Sequence, residues 1–377
     1  MVGAAEAGLA FADGWGAAPM AAAEVVAGWL GAGRWASSGG RTLYGLASFG
    51  SALGEAAAVA DVVDEYCEDV ERVKGYGYRQ VLRCPPGVGL TDLAVDAGGE
   101  ALVSAGVDAS HVDLVVLAVT DIAEYLYWDA AASVAHRLGA DRAESMLLSQ
   151  ACTSGVVAFD AVAGRFATHP EYHTALIVTA NRTCEPYWNR MATQPMVFSD
   201  AAAAAVARRG HGRLRWLATE VHTAGRYAPL YRMAVGGAAE PFAPGHTADD
   251  LVAADAWEVM DFFDYDAERF EAFIAELDER TCRVVAAACK RVGMEVTDLA
   301  RLVLLADNQD AMSTLCARLG VDPARTNMDL AAQYGHLGAA DQIFGLARIA
   351  QNLTPGDRVA LVSRGRGMHW ACTIMEV

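Results

Sequence analysis

The chain has 377 residues, 54% hydrophobic and 20% charged, which gives ample apolar material for a large core, excludes a chain that stays disordered, and sets an expectation of about two to three domains or one doubled domain. Its formal charge of −18, from 47 acidic against 29 basic residues, argues against nucleic acid as a partner, because affinity for phosphate backbones is drawn from Lys and Arg.

Residues 1–40 read as an N-terminal extension, with a short helix near 19–31 and a break at Ser37-Ser38-Gly39-Gly40. From residue 41 strands and helices alternate. Apolar patterning predicts a strand over Leu43–Phe49, a helix over Leu90–Ala105 capped by Thr91-Asp92, a strand over Val112–Val119, a helix over Trp128–Leu138 and a strand over Met146–Ala151. A helix opening at Thr153, a strand over Ala175–Ala180 and paired strands over Ala201–Ala207 and Leu214–Glu220 complete a first half, residues 41–224. Residues 225–255, rich in Gly, Ala and Pro, read as an excursion that opens the second half, residues 225–377. An acidic helix over Ala254–Val292 follows, then a strand over Leu302–Ala306, helices over Gln309–Leu319 and Gly338–Gln351, and strands over Arg358–Ser363 and Trp370–Met375. Two successive β/α halves of comparable make-up imply a doubled α/β core.

No stretch reaches the roughly 20 consecutive apolar residues of a membrane span, and the first 33 residues lack the Lys or Arg of a secretory leader. Eight cysteines are scattered without C-x-x-C spacing, which disfavours a zinc site or a disulfide framework and suits a reducing cytoplasm. An acidic carrier protein would need a local basic patch on so acidic a surface. Arg208, Arg209, Arg213 and Arg215 are the densest candidate, with a solvated strand pair as the plain alternative.

The sharpest local feature is Leu147-Leu148-Ser149-Gln150-Ala151-Cys152-Thr153-Ser154-Gly155, an apolar strand ending at a cysteine that begins a helix. Unpaired amide hydrogens and the positive end of the helix dipole favour a thiolate at such a position, which is how a nucleophile is made. A small buried core cysteine is the alternative that this segment alone leaves open.

Ala-Cys-x-x-Gly at a strand-to-helix junction resembles the active-site region of β-ketoacyl-ACP synthase III, in the thiolase superfamily. Val197-Phe198-Ser199-Asp200-Ala201 through Val206 is similar to that family's F-G-D-G-A-G-A-A-V stretch, with Ser199 where Gly is usual. Tyr334-Gly335-His336-Leu337-Gly338-Ala339-Ala340 resembles its H-G-N-T-S-A-A stretch, and Arg364-Gly365-Arg366-Gly367-Met368-His369-Trp370 its F-G-G-G-F-T-W turn. The resemblance spans residues 41–377 in order. It implies a thiolase-like fold, two similar β/α halves in a five-layered αβαβα arrangement, with Cys152 as nucleophile, a homodimer joined through the core sheet, and an acyl-ACP or acyl-CoA thioester as partner. The phosphopantetheine arm is then substrate, and neither a cofactor nor a metal is implied.

The departures carry as much meaning. The family's P-H-Q-A-N histidine is absent, since the corresponding strand ends Ala306-Asp307-Asn308-Gln309, and either Asp307 or Asn308 falls at its place. His336 stands where the family has asparagine. The expected set is therefore Cys152 with His336 as base and Asp307 orienting its ring, a swapped Cys-His-Asp triad. The resemblance also implies oxyanion donors from the backbone amides of Cys152 and Arg366. Arg366 replaces a glycine, so its backbone would be restrained and its cation free to face the pocket or a carrier phosphate. His369 reads as structural or pocket-lining.

Together these residues predict an acyltransferase that loads Cys152 and delivers the acyl group to a small-molecule hydroxyl or amine in secondary metabolism. A lone His base suits proton removal better than enolate stabilisation. The alternatives are decarboxylative carbon-carbon condensation and, from another class, a non-catalytic ketosynthase partner subunit.

Overall fold

Leu114–Val119 is an unbroken run of Leu, Val and Ala buried on both faces, as a strand covered on each side by helices must be. The structure, a computed structural model, describes residues 43–233, 235–246 and 256–377. The extension expected over residues 1–40 lies outside them. The strands are β1 (Tyr44–Leu53), β2 (Glu55–Ala58), β3 (Gln80–Arg83), β4 (Leu114–Val119), β5 (Glu144–Ser149), β6 (Thr174–Asn181), β7 (Ala201–Arg209), β8 (Arg215–Thr223), β9 (Arg301–Val303), β10 (Arg358–Gly365) and β11 (His369–Glu376). The main helices are α1 (Leu90–Ala105), α2 (Ala130–Leu138), α3 (Ser154–Thr168), α4 (Ala267–Arg291), α5 (Gln309–Leu319), α6 (Met328–Tyr334) and α7 (Asp341–Ile349).

Nine strands follow in the order β5-β4-β6-β7-β1-β8-β11-β10-β9, while β2 and β3 form a separate hairpin. The two halves of the sheet meet at one residue pair, Gly45 with Arg215, so they diverge and leave room for helices between them. Helices α3 and α7 fill that space: Phe159, Val162 and Phe166 pack with Ile343, Phe344 and Leu346 against Ile177 and Ala203 of one half and Leu361 of the other. Helices α1 and α2 cover the outer face of the first half, with Ala97 and Val134 against Val115, Leu176 and Ala204. Helices α4 and α5 cover the second, with Val285 and Met312 against Leu302, Val362 and Cys372. This is the five-layered αβαβα arrangement expected. The alanine run of β7 suits its place, because small side chains let helices approach it on both faces.

Four readings of the sequence are corrected. β7 and β8 do not pair with each other, because β1 inserts between them. The helix expected over 254–292 is two helices, Ala256–Phe262 and α4, separated where Asp264 and Tyr265 both take left-handed φ and Asp266 caps α4 by accepting from the Glu268 and Arg269 amides. α1 is capped at Gly89, whose amide donates to Asp92 Oδ2 at 2.7 Å. The arginine patch lies at the end of the sheet remote from the cysteine: Arg208 and Arg209 pair with Thr174 and Tyr44, at the far end of β7 from Asp200. Arg209 there donates to the carbonyls of Phe166, His169 and Tyr172, Arg213 to that of Ala350, and Arg215 is bonded to Glu376. Fold-internal carbonyls and a carboxylate use these guanidinium groups.

Candidate active site

The first half delivers a thiol and the second an imidazole. β5 ends at Ser149, and the chain turns into α3 through Ala151, whose φ of 50° is a left-handed conformation disfavoured for a residue with a Cβ. Such strain persists only where the surroundings over-determine it. Here the buried Ser154 hydroxyl does so, accepting from the Gln150 amide at 2.7 Å and donating to the Val119 carbonyl at 3.0 Å. Cys152 thus sits at the N-terminal end of α3, buried, with Trp188, Met196, Phe198 and Leu305 around it.

The packing explains the glycine of Ala-Cys-x-x-Gly, Gly155. A Cβ there would stand 2.1 Å from the Ala339 carbonyl oxygen, so only glycine lets α3 approach the 336–341 segment. Gly335 is equally constrained, with φ 72° and a would-be Cβ 2.5 Å from Ser199 Oγ. His336 follows it, pinned by its amide to the Val197 carbonyl and by its carbonyl to the Ser199 amide, both at 2.8 Å. Its ring takes the Phe198 ring edge-on at 5.0 Å.

His336 Nε2 lies 3.0 Å from Cys152 Sγ. On the other side of the ring, Nδ1 donates to Asp341 Oδ2 at 2.7 Å. The Asp341 carboxylate is itself buried, and accepts from the Leu337 amide at 2.7 Å and the Ala306 amide at 2.9 Å, which satisfies it inside the core. Burial alone would press the imidazole toward its neutral form, but Asp341, with Cys152, outweighs burial and holds its pKa well above the ordinary 6.5.

The partner expected for His336 was Asp307, and this is corrected. Asp307 turns instead to Arg364, and its Oδ1 accepts from the Asn308 amide at 2.8 Å. Asn308 is the cap of α5, its Oδ1 accepting from the Ala311 amide at 2.9 Å. Both line the pocket in front of Cys152 and neither bonds the imidazole. Asp341, missed in the sequence, stands one residue past the motif Tyr334–Ala340. Its signal was a carboxylate five residues after His336 at the start of a helix.

The terminal turn between β10 and β11 packs on the cysteine loop. Ser363 Oγ donates to the Cys152 carbonyl at 2.8 Å, and a Cβ on Gly365 would be 3.0 Å from the Cys152 amide nitrogen. The left-handed positions of the turn are Gly367 and Met368, not Arg366, so the restraint anticipated for the Arg366 backbone is not there. His369 bonds Thr223 Oγ1 at the start of β11 and does not line the pocket. The pocket, about 350 Å³, is walled by Trp188, Phe198, Tyr231, Phe273, Leu277 and Leu305, and carries Asn181, Arg364 and Arg366 among its polar groups.

A doubled β/α core with a cysteine at the mouth of a central helix defines a thiolase-fold protein, and comparisons with known proteins agree. Residues 289–377 match the C-terminal model of 3-oxoacyl-[acyl-carrier-protein] synthase III. The chain is 31% identical over 289 residues to the β-ketoacyl-[acyl-carrier-protein] synthase III of Gloeobacter violaceus, covering 76% of this chain and 83% of that protein. With the Synechocystis enzyme of the same name it shares 27% over 302 residues, 80% of this chain and 87% of the relative. Among solved structures, the acyltransferase ChlB3 superposes with a TM-score of 0.77 at 20% identity, covering 89% of this chain and 97% of that one. The priming β-ketosynthase of the R1128 polyketide pathway superposes at 0.73 and 19%, again covering 89% and 97%. The chain belongs to the β-ketoacyl-[acyl-carrier-protein] synthase III family. Among the described residues no helix is long and apolar enough to cross a membrane.

Proposed function

We propose that the protein is an acyltransferase that moves an acyl group from an acyl-ACP or acyl-CoA thioester, through a thioester on Cys152, to a hydroxyl or amine. The observation that carries this reading is the single imidazole of His336 held between Cys152 Sγ and the buried Asp341. In loading, the Cys152 thiolate attacks the donor carbonyl carbon. The new carbon-sulfur bond forms as the donor's breaks, and the departing sulfur takes the Nε2 proton. His336 is then neutral and takes the acceptor's proton as its oxygen or nitrogen attacks the Cys152 thioester, whose sulfur leaves as thiolate beside a restored imidazolium. Asp341 stabilises the imidazolium at both ends of the cycle. The Cys152 amide, with that of Arg366, is proposed to hold the oxyanion. The chemistry uses no bound cofactor, and the phosphopantetheine arm enters as substrate.

Decarboxylative condensation would need donors aimed at an enolate oxygen. Asp307 is paired with Arg364, Asn308 Nδ2 donates to the Pro195 carbonyl and to Asp307 Oδ1, both at 3.2 Å, and a histidine backed by a carboxylate is built to accept and return a proton. This second reading is favoured by the names of the cyanobacterial relatives. Malonyl-ACP labelled at its free carboxyl separates the two: acyl transfer leaves the label in the product, whereas labelled carbon dioxide that depends on Cys152 overturns it. Intact-protein mass spectrometry with a donor panel should show a covalent gain absent in Cys152→Ala. A homodimer belongs to the same reading, supported by β5 as an edge strand with Leu147 outward and by exposed Ile122, Tyr125 and Leu126; a monomer mass by light scattering would overturn it.

A further inference from the structure

Arg366 lines the pocket with Cys152, and its cation is unmatched. The other arginine of that wall is neutralised: Arg364 lies between Asp278 and Asp307. Arg366 forms no ion pair among the described residues. It donates through Nη2 to the Thr120 carbonyl at 2.6 Å and lies over the Trp188 ring, 4.9 Å from its centre. These contacts fix the guanidinium without neutralising it, since a carbonyl and an aromatic face leave most of its five donors open. The nearby Asp121 carboxylate is turned to backbone, accepting from the Ile122 and Cys184 amides at 2.8 and 3.0 Å. The indole of Trp188, in the same wall, has an Nε1 without an acceptor.

The guanidinium and the thiol belong to the wall of one pocket. Thr120 follows Val119, whose carbonyl takes the Ser154 hydroxyl of the cysteine loop, and Trp188 packs in the same cluster as Cys152. A phosphate on a carrier arm lies a full pantetheine length from its sulfur, which sets it beyond a cation in the wall of the pocket that holds the nucleophile. A carboxylate at the far end of a short acyl chain on Cys152 is at the right remove.

We propose that Arg366 is a specificity-determining residue that receives the free carboxylate of a dicarboxylic acyl group, of the malonyl or succinyl class, carried on Cys152. The inference rests on the acyl-enzyme reading above and names its substrate class. An arginine that binds the carboxylate in its ionised form also keeps it from leaving as carbon dioxide, consistent with transfer of the intact group.

The test is single-turnover loading of the full chain, followed by intact mass, with malonyl and succinyl thioesters against the neutral acetoacetyl and butyryl thioesters, each on CoA and on N-acetylcysteamine, which carries no phosphate. The wild type should load the dicarboxylic groups faster and keep the carboxyl in the adduct mass. Arg366→Gln should reduce that preference about 10- to 100-fold, and Arg366→Lys should retain part of it. Equal loading of neutral and dicarboxylic groups by the wild type, or an unchanged ratio in Arg366→Gln of native melting temperature, overturns the inference while leaving acylation of Cys152 intact. A loss confined to CoA donors also overturns it, assigning Arg366 to a phosphate. Failure of every donor to acylate Cys152 overturns the acyl-enzyme reading itself.

Discussion

Asp341 stands five residues after His336 and bonds its Nδ1 at 2.7 Å while accepting the Ala306 amide from the segment that follows β9. One carboxylate therefore orients the imidazole and ties it to the second half of the sheet. In the proposed mechanism loading uses the imidazolium as acid, so its rate should fall as pH rises through the raised pKa of His336. Removing the charge in Asp341→Asn leaves burial, which favours the neutral ring, and the alkaline limb of the profile should move to lower pH. The loading rate should also fall by roughly 10² to 10⁴, as when the carboxylate that holds a catalytic histidine is neutralised. An unmoved limb in stopped-flow loading would show that Asp341 does not set the imidazole's charge.

Asp307→Asn provides the contrast. Its carboxylate pairs with Arg364 and makes no bond to the ring, so the alkaline limb should stay where it is in the wild type. Arg364 keeps Asp278 as partner, but Asp307 is buried, so the stability loss should be about 1 to 3 kcal/mol, read from denaturant unfolding. A limb displaced as far as in Asp341→Asn would restore Asp307 as the orienting group.

Most of the fold could be read from the sequence because its strands are apolar on both faces and its helices end on left-handed glycines, Gly106, Gly139 and Gly320. α6 and the β2–β3 hairpin were missed: they are short, and their packing is set by distant chain, such as the Arg79 amide bonded to the Ala332 carbonyl. Cys152 and His336 were legible from local motifs. The identity of the third group was not, because strand order alone could place Asp307 near the imidazole but not orient it. Only the three-dimensional turn shows that Asp307 faces Arg364 and that the chain returns Asp341 under His336.

Gly155→Ala tests how the halves are held together. The added Cβ would lie 2.1 Å from the Ala339 carbonyl, a backbone atom that cannot rotate aside. Separating α3 from the 336–341 segment should destabilise the chain by about 1 to 3 kcal/mol or more, the range for overpacking. Because that displacement lengthens the Cys152–His336 contact, loading in folded protein should fall as well. A variant with native unfolding midpoint and native loading would mean that the two segments can slide without consequence.

Arg190 is the largest buried cation among the described residues, bonded to Asp200 at 3.2 Å, to Glu185 at 2.6 Å and to the Phe198 carbonyl at 2.7 Å. It ties the 182–199 segment, which supplies Trp188, Met196 and Phe198 to the pocket wall, to the start of β7. Arg190→Met fills similar space but leaves Asp200 buried with only amide donors, from Cys84 and Thr183, both at 2.9 Å. Such a half-broken pair costs about 3 to 5 kcal/mol. Adding Asp200→Asn removes the stranded charge and should recover part of that loss, giving a coupling energy in a double-mutant cycle. Since Trp188 and Phe198 hang from the same segment, Arg190→Met should also slow loading at temperatures where the protein remains folded. Additive losses in the cycle would mean that Arg190 acts through Glu185 or the Phe198 carbonyl instead of through Asp200.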